Sequence, residues 1–272
     1  MTYQAIAFDL DGTLLSSQAT ILESSKEVIK KAQKKGLKVF IVTGRHHTAV
    51  RPYYAELGLD TPVVCCNGTY LYDFQNDKVL SSNPLTHQQA HHLVDLATQQ
   101  DIHVAVYTRN SMVVEQLNNH FVKLMKWVNS VDESVRPDVR QVPSLRDYMD
   151  KEDVIWKVLI SNPDLAKMQK FVENLPLDQF SPEWSWVDRV DITAQGNSKG
   201  ACLAELLQRE QISPENVIAF GDNFNDVSML KLVGMGIAMA EAEPEVQQSA
   251  KKVIGSHNED SIAKALAELL AI

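Results

Sequence analysis

The sequence predicts an α/β protein, a parallel-sheet core interrupted by an inserted α+β unit, and three features carry that expectation. Three apolar runs of buried-strand type, Ala5-Ile6-Ala7-Phe8, Val39-Phe40-Ile41-Val42 and Val217-Ile218-Ala219-Phe220, each end in small and polar residues. A helix-period stretch separates the first two, so strand, helix and strand form one parallel crossover. Between the second and third runs the rhythm changes to short strands in close succession with only two or three helices. That pattern suggests an antiparallel sheet with helices on one face.

The elements follow in order. Residues 24–36 carry helix periodicity, with Val28, Ile29 and Ala32 as the apolar stripe and Gly36 as the C-terminal cap. Lys26, Lys30, Lys31, Lys34 and Lys35 on this helix read as a solvated face, because Glu23 and Glu27 interleave with them. A further strand, Pro62-Val63-Val64-Cys65-Cys66, ends at Asn67-Gly68. The insert predicts a helix over 86–100, strands over 103–108 and 111–115, and a helix through 121–127. It continues with a strand over 154–160, a helix over 165–175, and strands over 183–187 and 190–192. The core then resumes with a helix after Lys199, a strand over 217–220, a helix over 226–233, a strand over 236–239 and a closing helix after Asp260. Residues 1–82 and 191–272 are thus expected as core and 83–190 as the insert, with linkers near 81–84 and 188–195.

Composition excludes several classes. The chain has 272 residues, 44% of them hydrophobic, and no low-complexity tract, which argues for packed cores rather than disorder. A net charge of -9 disfavours nonspecific binding to nucleic acid or anionic membrane. No apolar run approaches the ~20 residues that span a bilayer. The N-terminus leads straight into a strand with no secretory pattern, and three cysteines make neither a disulfide framework nor a zinc pattern. A cytoplasmic protein is expected; oligomeric state is unknown from sequence.

The chemistry concentrates where the strands end. In Asp9-Leu10-Asp11-Gly12-Thr13, positions two apart on an extended backbone face the same way, so Asp9 and Asp11 can share one site, and Gly12 permits a sharp turn. Carboxylates that close invite a bound cation. The other strand ends supply Thr43-Gly44-Arg45 and Gly221-Asp222-Asn223-Phe224-Asn225-Asp226, while Asn197-Ser198-Lys199-Gly200 places a lysine at a helix start. Ligands bind beyond the carboxyl ends of strands in an open parallel sheet. Carboxylates for a hard cation, a hydroxyl, a backbone-lined turn and a lysine are the parts of a phosphoryl-transfer site.

In these motifs the chain resembles the haloacid dehalogenase superfamily of phosphatases, within it the Cof-type branch with a large cap. Asp9-Leu10-Asp11-Gly12-Thr13-Leu14-Leu15 matches the first motif, Thr43-Gly44-Arg45 the second, Lys199 the third and the stretch from Gly221 to Asp226 the fourth. The resemblance implies a Rossmann-like core with the insert as its cap. Gly44-Arg45-His46-His47, the stretch from Cys65 to Asp73, and Trp184-Ser185-Trp186 also resemble the pyridoxal phosphate phosphatase members.

The expected chemistry is a Mg²⁺-dependent phosphomonoester hydrolysis of a small phosphorylated metabolite, and the resemblance implies an aspartyl-phosphate intermediate. Asp9 is the expected nucleophile, kept ionised by cation and lysine. Asp11 is the expected general acid and then base, and its carbonyl can join Asp9 and Asp222 on the metal. Asp226 and Asn225 are expected just behind, orienting metal waters, Lys199 or phosphate. Thr43, Gly44 and Lys199 should clamp the phosphoryl oxygens, with Leu10 also a phosphate-side position. Asp226 could equally be an acidic residue favoured at a helix start, and both roles could coexist. Asn67 and His46 are substrate-contact candidates. The subgroup resemblance implies pyridoxal 5′-phosphate; sugar phosphates, a phosphomutase and a noncatalytic metabolite-binding regulator are the competing readings.

Other residues read more plainly. His91-His92 lies mid-helix without a carboxylate partner and reads as surface, and Cys65-Cys66 as buried strand. Trp184 and Trp186 alternate on one strand, so both should face one side and pack in a core. Met229, Met235 and Met239 read as core filler.

Overall fold

The computed structural model describes residues 3–272. The chain runs through β1 (Ala5–Phe8), α1 (Glu23–Lys34), β2 (Lys38–Ile41), α2 (His47–Glu56) and β3 (Val63–Cys65), then β4 (Tyr70–Asp73) and β5 (Lys78–Ser82). The inserted unit contains α3 (His87–Gln99), β6 (His103–Thr108), β7 (Ser111–Val114), α4 (Asn119–Ser130), β8 (Asp138–Gln141) and α5 (Leu145–Met149). It closes with β9 (Ile155–Ser161), α6 (Leu165–Glu173), β10 (Phe180–Trp186) and β11 (Arg189–Ala194). The core returns with α7 (Lys199–Arg209), β12 (Val217–Gly221), α8 (Val227–Leu232), β13 (Met235–Ala238), α9 (Pro244–Gln248), β14 (Lys252–Val253) and α10 (Ser261–Leu270). Among the described residues no helix is long and apolar enough to cross a membrane.

The core sheet has the order β14-β13-β12-β1-β2 with every pair parallel. Strand residues alternate between its two faces. Ile6 and Phe8 of β1 pack with Val28 and Ile29 of α1 and Ile262 and Leu266 of α10. Ala5 and Ala7 pack with Leu203 and Leu206 of α7 and Met229 of α8. Because the chain leaves β1 towards β2 on one side and β12 on the other, a crevice opens at their carboxyl ends. Phe8 stands in register with Ile41 and Phe220, so the residues that follow all three leave the sheet together.

The inserted sheet has the order β10-β11-β9-β6-β7-β8. The structure departs from the expected pattern in and around this sheet. The sheet is not wholly antiparallel, since β7 and β8 pair parallel across a connection long enough to contain α4. Nor are the helices on one face. α3, α5 and α6 cover Val104, Val106, Val158 and Ile160, whereas Phe121 of α4 packs on the opposite face with Ala105 and Met112. That opposite face looks onto the core crevice. β11 continues through Ala194 in this sheet, so the return connection lies at 195–198 rather than 188–195. The hairpin β4–β5, which pairs with β3, lies in a stretch where no strand was expected beyond 62–66.

Candidate active site

The carboxylates assemble because adjacent parallel strands end together. Asp9 follows β1 and its N–H donates to the Phe220 carbonyl at 3.0 Å, which sets it beside the end of β12. Gly12 turns the chain with φ +81, and a Cβ there would collide with the Asp222 carboxylate. Thr13 Oγ1 donates to Asp222 Oδ1 at 2.7 Å. Ser198 caps α7 and starts it with Lys199, whose Nζ donates to Asp9 Oδ1 and Asp226 Oδ1, both at 2.6 Å. Asp226 Oδ2 accepts the backbone N–H groups of Asp222 and Asn223 at 3.0 and 3.1 Å. Both oxygens of Asp226 are therefore engaged, and it acts as an anchor for Lys199 and for the Asp222 loop.

Asp9, Asp222 and Asp226 bring carboxylate oxygens within 4.8 Å of one another. Burial is the main effect on Asp9 and raises its pKa well above the usual carboxylate range; the Asp226, Asp222 and Asp11 charges add to that, and Lys199 opposes it. Asp222 is pushed up to about 7, first by burial and then by the Asp226 charge. Of the cation and lysine expected together to favour ionised Asp9, the lysine is in place, and Lys199 opposes the upward pull of burial and of the neighbouring carboxylates. Hard oxygen donors crowded until they resist ionisation are a set that a divalent cation relieves, so the residues fit Mg²⁺.

The phosphate side is built from the turn after β2. Thr43 is buried, and its Oγ1 accepts the Arg45 N–H at 3.1 Å, leaving its own proton free to donate. Arg45 grips Asp11 with two bonds, Nε to Oδ2 at 2.6 Å and Nη2 to Oδ1 at 2.7 Å. Burial would raise the Asp11 pKa, yet the Arg45 charge and these bonds outweigh it and hold the carboxyl below its ordinary value. The Arg45 guanidinium lies over Tyr53 of α2 at 5.1 Å and Trp127 of α4 at 5.2 Å, which ties core and insert together. The Leu10 side chain is fully buried, so only its backbone is on offer.

A cavity of about 230 Å³ lies between core and insert. Asp9, Asp11, Thr43, Gly44 and Asn225 line it from the core, and Tyr107, Met112, Leu124 and Leu159 supply an apolar and aromatic wall from the insert. His46 lines it too, but both its nitrogens are committed, Nε2 to the Thr108 carbonyl at 3.0 Å and Nδ1 to Thr48 Oγ1 at 2.8 Å. Burial pushes it down to about 4. His46 thus fastens α2 to the insert instead of offering substrate a hydrogen bond. Asn67 is likewise spent: Nδ2 donates to Asp191 Oδ2 and Oδ1 accepts from Asn225 Nδ2, both at 3.0 Å. Asn225 keeps a second Nδ2 hydrogen, while its Oδ1 is buried without a partner.

Two charged residues in this network carried no sequence expectation. Lys157 of β9 donates to the Gly44 carbonyl at 2.8 Å and to Asp191 Oδ2 of β11 at 2.7 Å, with both side chains almost wholly buried. The absence of a side chain at Gly44 makes room for Asn67, whose Oδ1 would stand 2.8 Å from a Cβ there. The signal was present: a charge flanked by apolar residues in Ile155-Trp156-Lys157-Val158 and Val190-Asp191-Ile192. Trp184 and Trp186 do not share a face. The pairing of β10 with β11 shifts between them, so Trp184 packs under the helices and Trp186 lines the cavity, 56% exposed.

Residues 6–266 match the family of haloacid dehalogenase-like hydrolases. The chain belongs to that family. It is 42% identical to the pyridoxal phosphate phosphatase YbhA of Escherichia coli (strain K12), with 97% of each chain covered. It is 28% identical to the 5-amino-6-(5-phospho-D-ribitylamino)uracil phosphatase YcsE of Bacillus subtilis (strain 168), covering 96% of this chain and 93% of that one. The solved structure of the HAD subclass IIB sugar phosphatase BT4131 superposes with a TM-score of 0.82 at 23% identity, covering 99% of this chain and all of that one, and shares the fold. The haloacid dehalogenase-like chain described here is a phosphatase with a Rossmann-like core and a cap.

Proposed function

We propose that the substrate is pyridoxal 5′-phosphate and that Asp9 is the nucleophile, with Mg²⁺ held by Asp9, Asp222 and the Asp11 carbonyl. The observation that carries this reading is the cavity, which joins Asp9, Thr43 and Gly44 at one end to the Tyr107, Met112, Leu124 and Leu159 wall at the other. A phosphomonoester needs the first, and a compact aromatic ring gains from the second. The relative at 42% identity carries that substrate in its name, which supports the same choice. When bound, the cation supplies positive charge to the phosphoryl oxygens and favours the ionised form of Asp9.

An Asp9 oxygen attacks phosphorus in line as the ester P–O bond breaks, giving an aspartyl-phosphate. Asp11 gives its proton to the departing alkoxide, then takes one from the water that attacks the same phosphorus and frees Asp9. Arg45 holds Asp11 ionised in the arrangement seen, so substrate must loosen that pair before Asp11 can carry a proton. The Thr43 hydroxyl, the Gly44 N–H and the remaining Lys199 proton hold the phosphoryl oxygens. The cap excludes bulk water. Three free, buried cysteines fit a reducing cytoplasm.

The test is kcat/KM for pyridoxal 5′-phosphate against erythrose, ribose and hexose phosphates at one Mg²⁺ concentration. The vitamin phosphate is expected to lead. A sugar phosphate preferred tenfold, about 1.4 kcal/mol of transition-state binding, overturns the substrate and leaves the phosphatase. A requirement for a bisphosphate would instead mark a mutase.

A further inference from the structure

We infer that Asp191, Asn225 and Ser185 form the face that recognises the organic part of the substrate, through polar atoms the protein itself leaves unmet. This rests on the hydrolysis proposed above. All three residues line the cavity that holds Asp9. Asp191 Oδ1, Asn225 Oδ1 and Ser185 Oγ are each buried with no hydrogen-bond partner. Native folds leave few such atoms, because each has given up its hydration with no bond in return. Here three converge on one cavity, from β10, β11 and the loop after β12.

The chain of bonds fixes what each atom offers. Asp191 Oδ2 accepts from Lys157 Nζ at 2.7 Å and from Asn67 Nδ2 at 3.0 Å, so both donors converge on one oxygen and the other, Oδ1, is left over. Asn67, having turned its amide N–H₂ to that carboxylate, must present its Oδ1 to Asn225 Nδ2. That leaves Asn225 Oδ1, like Asp191 Oδ1, as an acceptor with nothing to accept. Two orphaned acceptors beside an adaptable hydroxyl call for a ligand with donors beyond its phosphate. The protonated ring nitrogen of pyridoxal 5′-phosphate supplies such a donor, and so do sugar hydroxyls. Phosphate itself, an acceptor, is turned away from this end and towards Thr43 and Gly44. The cavity thereby orients its substrate as well as admitting it.

The test measures kcat/KM in wild type, Asp191→Asn and Ser185→Ala for three substrates. Pyridoxal 5′-phosphate and ribose 5-phosphate bring donors, whereas phenyl phosphate has none beyond its phosphate. Lys157 and Asn67 both require an acceptor, so the Asp191→Asn amide keeps its oxygen towards them and turns N–H₂ to the cavity, exchanging acceptor for donor. The fall on the preferred donor-bearing substrate is expected to exceed that on phenyl phosphate by about tenfold or more. Ser185→Ala removes a hydroxyl that holds nothing in the protein and is expected to show the same selectivity, at about threefold or more. Should Asp191→Asn fail to fold, Ser185→Ala decides alone. Equal losses on all three substrates, no loss, or a wild type that handles phenyl phosphate as well as the others overturns the inference. Selective loss on ribose 5-phosphate with no wild-type activity on pyridoxal 5′-phosphate sinks the vitamin substrate and upholds the recognition face.

Discussion

Replacing Lys199 by methionine tests whether one ammonium group holds the carboxylate cluster together. Lys199 Nζ sits 2.6 Å from oxygens of both Asp9 and Asp226, with side-chain exposures of 1%, 7% and 0% for the three residues. Methionine has a similar length and keeps the apolar packing, so the perturbation is largely electrostatic. It leaves buried carboxylates facing one another, and breaking a buried pair from one side costs about 3–5 kcal/mol. Urea denaturation of both proteins at neutral pH with chelator present reads that loss directly. The pH dependence has a definite sign. Burial would lower the Lys199 pKa, but Asp226 and Asp9 outweigh it and raise it, so the lysine's contribution persists through neutral pH and fades only under strongly basic conditions. On the acid side, protonation discharges the carboxylates that the variant has stranded, so its deficit should shrink as pH falls. A loss below about 1 kcal/mol, the worth of an exposed pair, or a deficit that grows on acidification would refute this reasoning.

Asp222→Ala should raise the Mg²⁺ requirement steeply, and Ca²⁺ should replace Mg²⁺ poorly because it takes more ligands at longer distances. Unchanged Mg²⁺ dependence in phosphate release would take Asp222 off the cation. Asp222 is raised to about 7 by burial and the Asp226 charge, above its unfolded value, so protonation favours the fold. Metal-free protein should therefore gain stability from this group as pH falls from about 8 towards about 5. Mg²⁺ binding near neutral pH should release protons, read by calorimetry in two buffers of different ionisation enthalpy. Metal uptake without proton release would contradict the raised value.

The core was legible because its strands carry their own signal. Ala5-Ile6-Ala7-Phe8 and Val217-Ile218-Ala219-Phe220 are apolar on both faces, as a sheet covered by helices on both sides requires. The residues that follow them were readable for the same reason, since strand ends in register must deliver Asp9 and Asp222 to one place. What escaped was set by tertiary pairing. The β4–β5 hairpin turns at Phe74-Gln75-Asn76-Asp77, which lacks the usual glycine signal. The parallel pairing of β7 with β8 depends on α4 crossing over between them, which strand composition does not encode. A bulge between Trp184 and Trp186 broke the alternation that placed both on one face. His46 and Asn67, candidates for substrate contact from sequence, hydrogen-bond to partners 62 and 124 residues away, which no local pattern encodes. Lys157 and Asp191 were hidden in plain strands, their charges meaningful only once paired.

The central claim, that Asp9 carries the phosphoryl group, is met most directly by acid-quenched single turnover with excess enzyme, followed by peptide mapping. A phosphoryl group on the peptide that contains Asp9, formed within the first turnover and absent from Asp9→Asn, is the expected result. Phosphate release by Asp9→Asn at the wild-type rate, or a phosphoryl group trapped on any other residue, would contradict it.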